Sequence, residues 1–164
     1  MRNLQLMICC LFAALNAYAQ KDSLTKTPLK FISEEQYNYY LKGNDTELSR
    51  IAEVNNYPSP KTALKLEKQL ALTTAQKSQI KTIATEMDRK LAEMGKFLIN
   101  EQTKLNTLFE NRKINEGSLI YHTNKIGSLE GELRNAYLKA HFRTWRVLTL
   151  PQLKKYTELN NKDL

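Results

Sequence analysis

Cysteine is nearly absent, and its position matters more than its number. The 164 residues contain two, Cys9 and Cys10, both at the extreme N-terminus. If that segment is removed on export, as argued below, no cysteine remains. Disulfides and thiolate metal sites are then excluded, and packing alone must hold the fold. Histidine is almost as scarce: His122 and His141 stand alone, and neither has a second histidine four residues away. No apolar run after residue 19 is long enough to span a bilayer. There is no Gly-rich phosphate loop, no nucleophile with a base, and no Asp/Glu cluster at metal-ligand spacing. The Ser and Thr residues read mostly as helix caps or exposed positions. Nothing here supports catalysis, and no cofactor is required.

What is present begins with an export signal. Arg2 supplies a charged start, Leu4 to Leu15 an apolar stretch, and Ala17-Tyr18-Ala19 a small-x-small cleavage site. This predicts a cleavable signal over residues 1–19, cut before Gln20. An uncleaved signal anchor is the competing reading. Ile8 and Cys9 precede the two cysteines where a lipid-attachment box needs a small residue, so no lipid anchor is read. The expectation is a soluble periplasmic chain, with no transmembrane segment once the signal is removed.

Charge sets the next bound. Lys and Arg number 25 against 17 Asp and Glu, a formal charge of +8, or +7 without Arg2. In a cytosolic chain this would point to nucleic acid. Export makes nucleic acid an unexpected partner. Acidic polypeptides or anionic lipid head groups fit better. A solvated lysine-rich helical surface explains the same numbers. An amphipathic helix lying on a membrane surface is a further alternative.

Two copies of one signature organise the rest. They are Leu72-Thr73-Thr74-Ala75-Gln76 and Leu148-Thr149-Leu150-Pro151-Gln152. In each, Thr is placed to cap a helix, and Gln three residues later closes a capping box. Each therefore predicts a helix start. Upstream, residues 20–32 read as a flexible leader. Ser33-Glu34-Glu35-Gln36 is another capping box, opening a short helix that Gly43 ends. Asp45 or Thr46 starts a second short helix through Val54. Asn55 to Pro60 is a break. Ser59 as N-cap and Pro60 at the first helical position open a helix to about Ala71.

The first long helix is expected from Thr74 to about Arg112, near 58 Å at 1.5 Å per residue. Its seam is Ile80, Ala84, Met87, Leu91, Met94, Leu98, Glu101, Leu105 and Leu108, alternating four and three. Asn111 to Asn115 supplies a turn, with Asn115 as the next cap. The second long helix runs from Glu116 to Leu148. Its seam is Leu119, His122, Ile126, Leu129, Leu133, Ala136, Ala140, Arg143 and Val147. Laid antiparallel, Leu108 faces Leu119, Leu98 faces Leu129, Met94 faces Leu133, Met87 faces Ala140 and Ile80 faces Val147. The fold class is all-α: a long antiparallel helical hairpin with short flanking helices.

In this register Gly95 and Gly131 nearly oppose each other, and Gly127 lies one turn away. Close approach of the two long backbones would justify them, since a helical Gly costs about 1 kcal/mol against Ala. A lone hairpin has too little core. Leu138, His141, Trp145 and Leu148 form a second stripe that flanking helices can cover at the open end. Phe109, Ile114, Ile120 and Tyr121 are left near the tip as an interaction surface, for which a homodimer is the natural solution.

Two constellations stand out. Glu101 lies in the apolar seam with His122 one layer away, so a buried Glu101–His122 pair is predicted. Snorkelling of Glu101 to solvent is the alternative. His141 lies near Glu86 and Met87 in the register. Together they outline part of a soft transition-metal site for zinc, copper or nickel. A structural role for His141 is the alternative.

The doubled signature on a helical hairpin behind an export signal resembles the Spy/CpxP family, and more closely its periplasmic heavy-metal sensor and resistance branch. Further matching stretches are Tyr57-Pro58-Ser59-Pro60, Gly127 to Arg134, and Leu138-Lys139-Ala140-His141. The resemblance implies a family-like helical domain over 57–160, after a leader with short helices at 20–56 and before a tail at 161–164. It implies a homodimer acting as an ATP-independent chaperone for unfolded envelope proteins. Alternatives are a metal sensor or metal-binding resistance protein, or a regulatory subunit docking a membrane sensor kinase or anti-sigma factor. In several relatives a His precedes the position of His141 by four. Here it is Tyr137, with Trp145 four residues after.

Overall fold

The computed structural model describes residues 26–42 and 46–160. The expected export signal, the stop at Gly43 and the tail lie outside the described residues. Among the described residues there are helices and no strands. They are α1 (Glu34–Lys42), α2 (Thr46–Glu53), α3 (Pro60–Lys65), α4 (Thr74–Glu110), α5 (Glu116–Val147) and α6 (Leu150–Asn160).

The hairpin of α4 and α5 is the frame, and both long helices start on full capping boxes. Thr73 accepts from the Gln76 backbone N–H, and the Gln76 side chain accepts from Thr73 N. Asn115 and Ser118 do the same for α5. Reciprocal caps satisfy donors that have no partner inside the helix. Between them, Arg112 takes a left-handed φ of 53° to turn the chain. The seam buries Ile80, Met87, Leu91, Met94 and Leu98 against Ile126, Leu129, Leu133 and Ala140, as the alternation of four and three requires.

Several expectations are corrected. The segment before α1 is not a bare leader: Ile32 is buried, and Leu29 and Phe31 pack on the main core. The helix opened by Ser59 and Pro60 ends at Lys65 rather than near Ala71. Leu66 to Ala71 form turns, with Ala71 at a φ of 49°. Continued helix would throw Leu70 and Leu72 about 200° apart around its axis. Breaking it sends both into one cluster with Ala63, Ile80, Leu148 and Tyr156.

The glycines are the sharpest correction. Gly95 does not meet α5. A Cβ built there would run into the carbonyl of Tyr40 on α1, 2.6 Å from its carbon, while at Gly127 and Gly131 it would meet nothing within 4 Å. Gly95 is therefore the seat of α1, whose Tyr40 is buried to 1% exposure. Arg143 also leaves the seam. Its guanidinium pairs with Glu86 at the surface, and the open end is filled instead by Tyr137, His141, Thr144 and Leu148. Those residues fall on the side of α5 that the short helices cover, so the core swings toward its cover there.

Candidate functional site

Among the short helices, α1 packs on α4, α2 on α5, and α3 on both. Among the described residues, one side of the hairpin has a stretch lined by the two long helices alone. It carries a groove of about 320 Å³ between the long helices, floored by Ile83, Met87, Ala136 and Ala140. Its rims are charged. Glu132, Asn135, Lys139 and Arg143 recur at three- and four-residue spacing on α5, a single helix face. Glu86 and Lys90 answer from α4. Arg143 pairs with Glu86, and Lys90 reaches Glu132 at 3.9 Å. The Arg143 hydrogen bond and charge hold the Glu86 carboxyl below its usual pKa.

The tip is the second bare region. Phe109 is 53% exposed, Leu119 39%, Ile120 59% and Tyr121 64%; Ile114 is half-buried. Consecutive residues on a helix are about 100° apart. Leu119, Ile120 and Tyr121 therefore point to different sides, and the tip wears an apolar collar rather than one apolar face.

Glu101 and His122 meet as expected. Glu101 is 5% exposed and its Oε1 accepts from His122 Nδ1 at 2.6 Å, so Glu101 does not snorkel. A third member escaped the sequence reading: Lys104, one turn along α4, donates to Oε2 at 3.2 Å. Burial alone would raise the Glu101 pKa; the bonds from His122 and Lys104 outweigh it and hold the carboxyl below its ordinary value. Tyr121 closes the edge of the His122 ring, centroids 5.1 Å apart.

The metal trio is not brought together. His141 is 1% exposed, and its Nδ1 donates to the Tyr57 carbonyl at 2.7 Å. Glu86 is exposed and engaged by Arg143, and Met87 is a groove-floor and core residue. The His141 ring lies outside the groove that Glu86 and Met87 line. Among the described residues no three His, Asp or Glu stand where they could hold one ion. His141 is instead a structural anchor for the loop before α3, where Tyr57 also stacks on Trp145 with centroids 5.3 Å apart. Only the paired backbone carbonyl of Tyr57 makes this sense of His141, and no residue type announces a carbonyl acceptor.

The doubled signature does more than start two helices. The Gln76 amide nitrogen donates to Gln152 Oε1 at 2.8 Å, and that of Gln152 to Gln76 Oε1 at 3.0 Å. The same nitrogens reach the Val147 and Leu70 carbonyls. Each oxygen also accepts from the backbone N–H of the threonine three residues before it, Thr73 or Thr149; at the second copy the Thr149 hydroxyl donates to that same oxygen, so only half of the expected capping box forms there. Each glutamine thus caps its own helix and ties down the segment that leads into the other copy. Leu72 and Leu148 are buried beneath the pair. No protein-family model, curated protein or solved structure matches the chain.

Proposed function

We propose that this chain is a non-enzymatic, exported binding protein. In this reading it holds unfolded or partner polypeptides on a basic, partly apolar helical surface, in the manner of the ATP-independent Spy/CpxP chaperones that its doubled signature resembles. The observation that carries the reading is the apolar collar of Phe109, Leu119, Ile120 and Tyr121, which no other part of the described chain covers. Exposed apolar groups in several directions suit an irregular client better than a single shaped partner. The net charge, +7 once Arg2 leaves with the signal, adds long-range attraction for acidic chains.

Light scattering of a denatured reporter protein diluted into buffer tests this. The native chain is expected to suppress the scattering near equimolar ratio. The Phe109→Ser/Ile120→Ser/Tyr121→Ser variant is expected to lose that suppression at unchanged helix content. A native chain that leaves scattering untouched ends the proposal.

A further inference from the structure

The groove between the long helices has a feature that polypeptide holding does not use. The ion pairs Glu86–Arg143 and Lys90–Glu132 cross it from rim to rim. They divide the groove into a short compartment instead of leaving an open track. Between them on the α5 rim stands Lys139. Among the described residues no carboxylate lies within ion-pair distance of Lys139, whereas Arg89, Lys90 and Arg143 each have one; its charge acts at longer range on Glu86, which Arg143 already pairs. Asn135, one turn away on the same rim, is exposed and makes no side-chain hydrogen bond to a described residue. Below them the floor is apolar. Small Ala136 and Ala140 opposite Ile83 and Met87 create its depth.

We propose that this compartment binds one amphiphilic anion, with a carboxylate or phosphate head on Lys139 and Asn135 and a short apolar body on Ile83, Met87, Ala136 and Ala140. A cation with no ion pair of its own at the rim selects the charge. The floor selects the apolar body, and the volume lies at the small end of ligand pockets. The cross-groove pairs limit length. A plain anion leaves the floor wet, and a neutral amphiphile leaves Lys139 without an ion-pair partner. The site lies on the shaft of the hairpin, so it stands independently of the tip and of the function proposed above.

Calorimetric titration of the full chain with octanoate, inorganic phosphate and octyl glucoside tests it, together with amide chemical-shift mapping. Octanoate is expected to bind one per chain and to shift amides in 83–90 and 132–143. Phosphate and octyl glucoside are each expected to bind at least about tenfold more weakly. Lys139→Gln, an exposed change that leaves helix content intact, is expected to weaken octanoate by about tenfold through loss of a charge-assisted bond. Ala136→Met, which fills the floor, is expected to weaken octanoate while sparing the weak phosphate binding. Octanoate shifts confined to Phe109 and Leu119–Tyr121, equal affinity for phosphate, or no response to either substitution would overturn the proposal.

Discussion

Glu101 shows how one buried carboxylate acquires its state. Its site is apolar on the seam side, and a lone charge there would be expelled or neutralised. His122 Nδ1 and Lys104 Nζ supply donors to both of its oxygens, and their effect exceeds that of burial. The sign of the pH dependence follows. A folded pKa below the unfolded value gives stability that is fully present above the unfolded carboxylate pKa, about 4.3. It is lost as pH falls through the lower folded pKa. Urea midpoints of the native chain should therefore fall with acid in that window. Glu101→Gln is expected to flatten that part of the profile and to cost about 1–3 kcal/mol at neutral pH, through a charge-assisted bond lost and His122 left half-buried. An unchanged acid limb in the variant would show that other carboxylates carry it.

At the scale of elements, the glycines of α4 and α5 look alike in sequence and differ in use. Gly95 lets the α1 backbone touch α4 at Tyr40; Gly127 and Gly131 face open space. The same substitution should thus act with opposite sign. Gly127→Ala and Gly131→Ala are each expected to stabilise by about 0.5–1 kcal/mol, the ordinary helix-propensity gain. Gly95→Ala is expected to destabilise by about 1–3 kcal/mol despite that gain, because backbone rather than a side chain must move. Hydrogen exchange should speed selectively in residues 34–42 of the Gly95 variant. Equal stabilisation at all of these positions would mean that α1 does not seat on Gly95. The heptad spacing announced that small residues lie along the hairpin. It pointed to the facing long helix as the close neighbour and missed α1, because Tyr40 is far away in the chain.

At the scale of the whole molecule, the open end is closed by the two signatures acting on each other. Gln76 and Gln152 join the start of α4, the end of α5, the turn at Leu70–Ala71 and the start of α6. Gln rather than Glu is needed, since each side chain must accept from its own cap and also donate across. Gln76→Ala is expected to cost about 1–3 kcal/mol in urea unfolding. Gln76→Glu should cost at least as much, although a carboxylate near a helix start is ordinarily favourable. The Gln76/Gln152 double-mutant cycle should show coupling of about 0.5–3 kcal/mol. A Gln76→Glu chain as stable as the native one would reduce the signature to two separate caps. The sequence by itself determined the all-α class, the ends of α4 and α5, the turn between them and the closeness of Glu101 to His122. Capping residues act within a turn of helix, and a heptad spacing carries its register along the chain, so these features are local or periodic. Only the tertiary structure decided that Gln76 meets Gln152, that Tyr40 occupies Gly95, that His141 serves Tyr57 and that Arg143 leaves the seam for the groove. Each of those joins residues that are far apart in the chain. Such contacts form only when distant segments pack together, and no local pattern records them.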